Sequence, residues 1–522
     1  MEVFKTHKVR LACRRVTSIA ASLFSVALLA VASPASAAAL TNGMNATNVL
    51  GQPDFTSSAS ATTQSGMSAI ARSAYDSANQ RLFVADFGNN NRVLVFDLSG
   101  GITNGMNATN VLGQANFTTA TSATSQSGMT NPRAVAYDAT GNRLFVADTG
   151  NNRVLVFDLS GGITNGMNAS NVLGQANFTT VAVAMTQSGM NLPAAVTYDA
   201  AGQRLFVTDS NNARVLVFDL SGGITNGMNA TNVLGQANFT TAITTTTQSG
   251  VNSPYGSAYD AAGQRLFVSD DKRVLVFDLS GGITNGMNAS NVLGQADFTS
   301  NASATTQSGM SISQDVAYDG TDNRLFVADY GNSRVLIFNL SGGITNGMAA
   351  SNVLGQSLFT ANAGATTQSR MNLPVGVTYD ASNKRLFVGD TSNRRVLVFD
   401  FSVSSGSSCP SPSITLSRSN GGESFAFGAS EPLFWSILGC GVTGVRLSLS
   451  TDGGASYPTL VADGVFAGSG YYSWKVPDMN TTAARLRVEL IGTGGVVLAS
   501  DTSDTNFIIV GTPPTAPAPS AP

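Results

Sequence analysis

The sequence predicts an all-β protein: a six-bladed β-propeller closed by an N-terminal strand, followed by a C-terminal β-sandwich. Three observations predict it. First, of 522 residues only 11% are charged while 54 are glycine, a mix poor in helix formers and suited to short strands joined by turns. The hydrophobic fraction of 43% still supplies a core, which excludes wholesale disorder. Second, the chain repeats with a period near 61 residues. Third, each period divides into four strand-like runs, the composition of a propeller blade. A solenoid is the alternative for a repeat chain, but its units run shorter and need atypical caps at both ends.

Residues 1–37 read as an export leader. Lys5, Lys8, Arg10, Arg14 and Arg15 precede the apolar run 16–32, and Ala35, Ser36 and Ala37 form an A-x-A cleavage pattern. The run is at the short limit for spanning a bilayer, and no later segment is apolar for long enough. The expected location is therefore secreted, periplasmic or cell-envelope. Cleavage moves the net charge from −3 to about −7 and removes His7, the one histidine of the chain. The mature protein would lack the commonest general base and the commonest metal ligand. Having no basic run, it is a poor match for phosphate backbones, so no nucleic-acid partner is expected.

The propeller is placed over 40–401. Arg-Leu-Phe-Val begins at Arg81, Arg143, Arg204, Arg265, Arg324 and Arg385. Arg-Val-Leu-(Val/Ile)-Phe begins at Arg92, Arg153, Arg214, Arg273, Arg334 and Arg395. Val-Leu-Gly-Gln begins at Val49, Val111, Val172, Val233, Val292 and Val353. In the second repeat the expected strands are Ala134–Tyr137, Leu144–Ala147, Val154–Phe157 and Asn171–Leu173, separated by Gly- and Asn-rich turns. The array opens with a lone fourth-strand element and ends after a third-strand element. The N-terminal strand should therefore complete the last blade and leave no open sheet edge.

Pro132-Arg-Ala-Val-Ala-Tyr-Asp138, with Arg143-Leu-Phe-Val-Ala-Asp148 and the following Asn-rich turn, resembles the NHL repeat of six-bladed propellers. The resemblance recurs in every blade. It departs at Asp270-Asp-Lys-Arg273, whose turn is short, and in the unusually long links between blades. Among such proteins are binding scaffolds, lyases and hydrolases; the enzymes rely on histidine, which this resemblance cannot transfer here.

Residues 402–413 read as a Ser/Pro linker, 414–510 as a sandwich, and 511–522 as a Pro/Ala-rich extended tail. Phe434-Trp-Ser436 and Tyr472-Ser-Trp-Lys-Val-Pro477 resemble bacterial cell-surface modules of the immunoglobulin or fibronectin type. Trp435 and Trp474 are expected in its core. Cys409 and Cys440 are an even pair outside the cytoplasm, so a disulfide is expected, with two independent thiols as the alternative.

Two sets of residues are candidates for chemistry. Asp86, Asp148, Asp209, Asp270, Asp329 and Asp390 close each second strand. They could be drawn as cation sites, yet six equal copies favour turn capping and pairing with the following Arg. A distinctive site belongs where blades differ, at the rim shared by the fourth-to-first link and the second-to-third turn. There Arg72, Arg133, Tyr255, Gln314 and Asp315 open first strands, and Phe87 and Tyr330 occupy turns. Such a cluster suits a small anionic or sugar-like ligand; drift on a solvated surface is the other explanation.

The favoured reading is an exported, non-catalytic, monomeric binding or scaffold protein contacting protein or cell-surface glycan, with no cofactor. The competing reading is a secreted lyase or hydrolase with a histidine-free site at the channel mouth, where calcium on oxygen ligands is the possible cofactor.

Overall fold

The computed structural model describes residues 40–402, 412–438, 442–465, 471–492 and 495–511. The leader, both cysteines of the expected disulfide, most of the linker and the tail lie outside the described residues. Among the described residues no helix is long and apolar enough to cross a membrane.

The propeller comprises six four-stranded antiparallel sheets. Blade 1 is built from Ala69–Asp76, Arg81–Phe87, Arg92–Asp97 and Asn110–Leu112. Blade 2 uses Pro132–Asp138, Arg143–Asp148, Arg153–Asp158 and Asn171–Leu173. Blades 3, 4 and 5 repeat this plan from Pro193, Pro254 and Ser313. The first strands of neighbouring blades pack against one another around the whole ring, blade 6 against blade 1 included. Each second and third strand is buried on both faces, so it reads as an unbroken apolar run rather than an alternation.

Blade 6 takes Pro374–Asp380, Arg385–Asp390 and Arg395–Asp400 from the end of the array and Asn48–Leu50 from its beginning. Asn48, Val49 and Leu50 stand opposite Val398, Leu397 and Val396. Val49, Leu50, Leu397 and Val398 are essentially solvent-free. The expected closure is thus present, and both edges of the array are consumed.

The repeated Asn-Gly pairs do more than turn the chain. Asn104 Oδ1 accepts the Val49 amide at 3.0 Å while Gly105 N–H donates to the Val49 carbonyl at 3.0 Å. The outer strand of one blade is thereby stitched to the third-to-fourth connection of the next. Gly105 needs its glycine: its φ is +66°, and a Cβ would meet the Pro53 backbone. Asn165, Asn226, Asn285 and Asn346 repeat the stitch, and Asn42 of the closing segment makes it to Val353 of blade 5.

The C-terminal strands form a three-stranded sheet and a larger sheet led by Val442–Ser450 and Thr481–Gly492. Both contribute to one core, in which Trp474 meets Phe425 and Phe507 edge-on and Trp435 is buried. Both tryptophans are therefore packing residues.

Candidate functional site at the channel mouth

The six repeated aspartates are structural. In blade 2, Asp148 Oδ2 accepts from Arg153 Nε at 2.7 Å and from Asn151 at 2.8 Å, while Oδ1 accepts the Thr130 amide at 2.7 Å. Arg153 also donates to the carbonyls of Phe178, Ser125 and Gly128. The buried guanidinium therefore spreads its donors over two links, which explains how such long links are held without secondary structure. Burial pushes the Asp148 carboxyl above its ordinary pKa, against the attraction of Arg153. The same pair recurs in every blade as Asp86–Arg92, Asp209–Arg214, Asp270–Arg273, Asp329–Arg334 and Asp390–Arg395. Among the described residues no three His, Cys, Asp or Glu side chains gather as a set that could hold a metal ion.

The rim candidates separate into two layers. The five on first strands sit where that strand slips register against the second, one residue being extra. In blade 2 the slip falls between Pro132 and Ala134, in blade 5 between Ser313 and Asp315, and in blade 1 between Ile70 and Ser73. Aligned on these slips, Arg133, Tyr255 and Gln314 share the outer position. Arg72 and Asp315 share the position one residue further in.

The inner layer is a plug. Arg72 Nε lies 3.0 Å from Asp315 Oδ1, with the two residues 5% and 3% exposed. Arg72 also donates to the Ala194 carbonyl at 3.0 Å and to the Gln314 carbonyl. Its side chain therefore joins blades 1, 3 and 5 across the axis. Asp315 Oδ2 accepts the Val377 amide of blade 6 at 3.0 Å. Gly256 and Gly376 occupy the inner position of the two blades flanking Asp315, and a Cβ on either would clash, with Asp315 or with the Ala71–Arg72 backbone. Burial raises the Asp315 pKa, against the pull of Arg72. The expectation that Arg72 and Asp315 face a ligand differs from this placement: their charges are spent on each other.

The outer layer is open. A cleft of about 410 Å³ is lined by Arg133 and Tyr255 together with Thr149, Leu192, Ser210 and Asn211. Arg133 is exposed, its guanidinium carbon 5.5 Å from the centre of the Phe87 ring, and it has no hydrogen-bond or ion-pair partner among the described residues. Partial desolvation by the channel walls, then the like charge of Arg72, lower its pKa. The Tyr255 carbonyl is fixed by Thr208 Oγ1 at 3.0 Å. The Thr149 hydroxyl donates to the Pro193 carbonyl at 2.6 Å, and Ser210 does the same to Pro254. These turn hydroxyls bind each blade to the next and stiffen the cleft floor.

Of the seven rim candidates, then, the cleft brings together Arg133 and Tyr255, with Phe87 behind the arginine. Gln314 contributes its carbonyl to the plug. Tyr330 starts the short 3-10 turn Tyr330–Asn332 in blade 5, outside the cleft. Thr149 and Ser210 are blade-specific turn residues of this rim, legible in the sequence; Leu192 and Asn211 are not singled out there, and aligning the turns with the neighbouring first strand exposes them.

Fold and site together define a closed six-bladed propeller with a plugged axis and a polar cleft at its mouth. The NHL repeat model matches residues 129–157 and 314–338, in blades 2 and 5. No curated protein matches the chain in sequence. Solved structures similar to it include hydrazine synthase of Kuenenia stuttgartiensis, at 13% identity over 66% of this chain and 78% of that one, TM-score 0.38. A nidogen/laminin complex chain matches at 13% identity over 61% and 92%, TM-score 0.33. A putative phosphatase from Bacteroides thetaiotaomicron matches at 12% identity over 64% and 71%, TM-score 0.42.

Proposed function

We propose that this chain is an exported binding protein whose propeller is a rigid platform for a protein or glycan partner at the cell envelope. The C-terminal sandwich is read as a spacer of the immunoglobulin or fibronectin type. The observation that carries this reading is Arg133, a cation left without a counter-charge in a cleft whose neighbouring charges are neutralised. An unpaired guanidinium beside a phenol recognises a carboxylate or an acidic sugar bidentately. Asp315, Asp148 and Asp209 are buried in ion pairs with Arg72, Arg153 and Arg214, so none of these three carboxylates balances the charge of Arg133.

Titration with acidic oligosaccharides such as oligogalacturonate, and with neutral cello-oligosaccharides as controls, tests it. An acidic probe should bind, and Arg133→Ala should weaken it by about tenfold or more with melting unchanged. Binding indifferent to Arg133→Ala, or strongest to the neutral probe, would contradict the assignment.

A further inference from the structure

The link that precedes blade 3 gathers several exposed aliphatic residues, where the links before blades 4 and 6 carry one each, Ile243 and Leu358. It carries Val181, Val183 and Met185, which are 45%, 62% and 40% exposed. The corresponding residues of the preceding link are Ala120, Ser122 and Thr124. Met185 in particular forgoes a bond. In four other links the threonine at this position donates to the turn asparagine, as Thr62 to Asn90, Thr124 to Asn151, Thr305 to Asn332 and Thr366 to Asn393, at 2.6–2.9 Å. Asn212 occupies the matching place in blade 3, where the link residue is Met185. Three exposed aliphatic residues so close together, one of them in place of a bonding threonine, mark a contact surface.

The strip is tied to the cleft lining through the backbone. Asn152 Nδ2 donates to the Val181 carbonyl at 3.2 Å, and Asn152 Oδ1 accepts the Leu192 amide at 2.9 Å. Leu192, itself 38% exposed, lines the cleft beside Arg133. One asparagine thus bonds to the backbone of the strip at Val181 and to that of the cleft lining at Leu192.

Resting on the binding function proposed above, we infer that this rim docks an extended segment of a partner protein. That segment carries one carboxylate for Arg133 and, a few residues away, aliphatic side chains for Leu192, Val181 and Val183. Charge complementarity selects the acid. The strip selects a polypeptide over a glycan, because valine, methionine and leucine cover aliphatic groups but offer no flat ring face for a sugar. Met185 is unbranched and flexible, which lets the strip adapt to side chains of different shape.

The test uses the full chain and capped peptides built on Ala-Asp-Gly-Leu-Val-Ala, with the acid moved stepwise along the series. Matched sets replace Asp by Asn or Leu-Val by Ser-Ser. The variant Val181→Ala, Val183→Ser, Met185→Thr installs residues this repeat already uses, so it should melt no lower than the parent. At least one acidic, aliphatic peptide should bind, and both the triple variant and Arg133→Ala should weaken it about tenfold. Failure of the whole series to bind, or unchanged binding by the triple variant, overturns the inference. If oligogalacturonate binding depends on Arg133 but not on the strip, the platform reading stands and the peptide site falls. If phosphatidylglycerol–phosphatidylethanolamine vesicles bind through the strip while the peptides do not, the strip is a lipid contact and the inference is again overturned.

Discussion

Arg72 of blade 1 and Asp315 of blade 5 form an ion pair across the central channel, Nε to Oδ1 3.0 Å, both nearly solvent-free. Neither blade neighbours the other in the ring. The pair therefore fixes a distance across the propeller that neighbour-to-neighbour packing leaves unspecified. Breaking a buried pair by removing one partner strands the other charge, so Arg72→Ala should cost about 3–5 kcal/mol. Replacing both, as Arg72→Met with Asp315→Leu, should recover most of that loss. Denaturant unfolding of the single and double variants measures it, and an Arg72→Ala protein as stable as the parent would refute the plug.

Arg153 tests how the long links are held. Lysine keeps the positive charge beside Asp148 but cannot reproduce the fork that reaches Phe178, Ser125 and Gly128. Arg153→Lys should lower stability by about 1.5–3 kcal/mol and make residues 115–128 more sensitive to limited proteolysis. Unchanged cleavage in that link would show that it is anchored by something else.

Alkaline pH should loosen the blades. A tyrosine of each blade packs its ring against a phenylalanine of the preceding one, as Tyr75 on Phe387, Tyr137 on Phe83 and Tyr198 on Phe145. Burial, then the Asp380 charge, raises the Tyr75 pKa from 10.0 to about 12; burial likewise raises Tyr137, Tyr198, Tyr259, Tyr318 and Tyr379. A raised folded-state pKa means the stabilisation is fully present below pH 10.0 and is lost as pH climbs through about 12. Phenolate absorbance and unfolding free energy followed together across that window should move in step. Tyrosines that titrate at their ordinary value with stability unchanged would count against the interface packing.

The repeat made the blades, their number and the closure legible, because Arg-Leu-Phe-Val and Val-Leu-Gly-Gln recur in a fixed order. The structural role of Asp86 and its five equivalents was legible for the same reason. What the sequence hid was a one-residue offset. Arg72 and Arg133 look alike as first-strand arginines, but the register slip puts one in the plug and the other in the cleft. Asp315 is a partner for Arg72 only once the ring has closed, and no local pattern encodes a pairing between blades so far apart. The aliphatic strip of Val181, Val183 and Met185 was readable in principle by aligning the six links, since nothing but a link-by-link comparison separates it from ordinary repeat drift.

Ring closure is the claim on which the plug, the cleft and the platform all depend, and amide hydrogen exchange tests it most directly. Peptides covering 47–51 should be protected as strongly as those covering 396–398, because the two segments are paired residue for residue in one buried sheet. Rapid exchange of 47–51 beside a protected 396–398 would mean that the N-terminal strand does not complete blade 6.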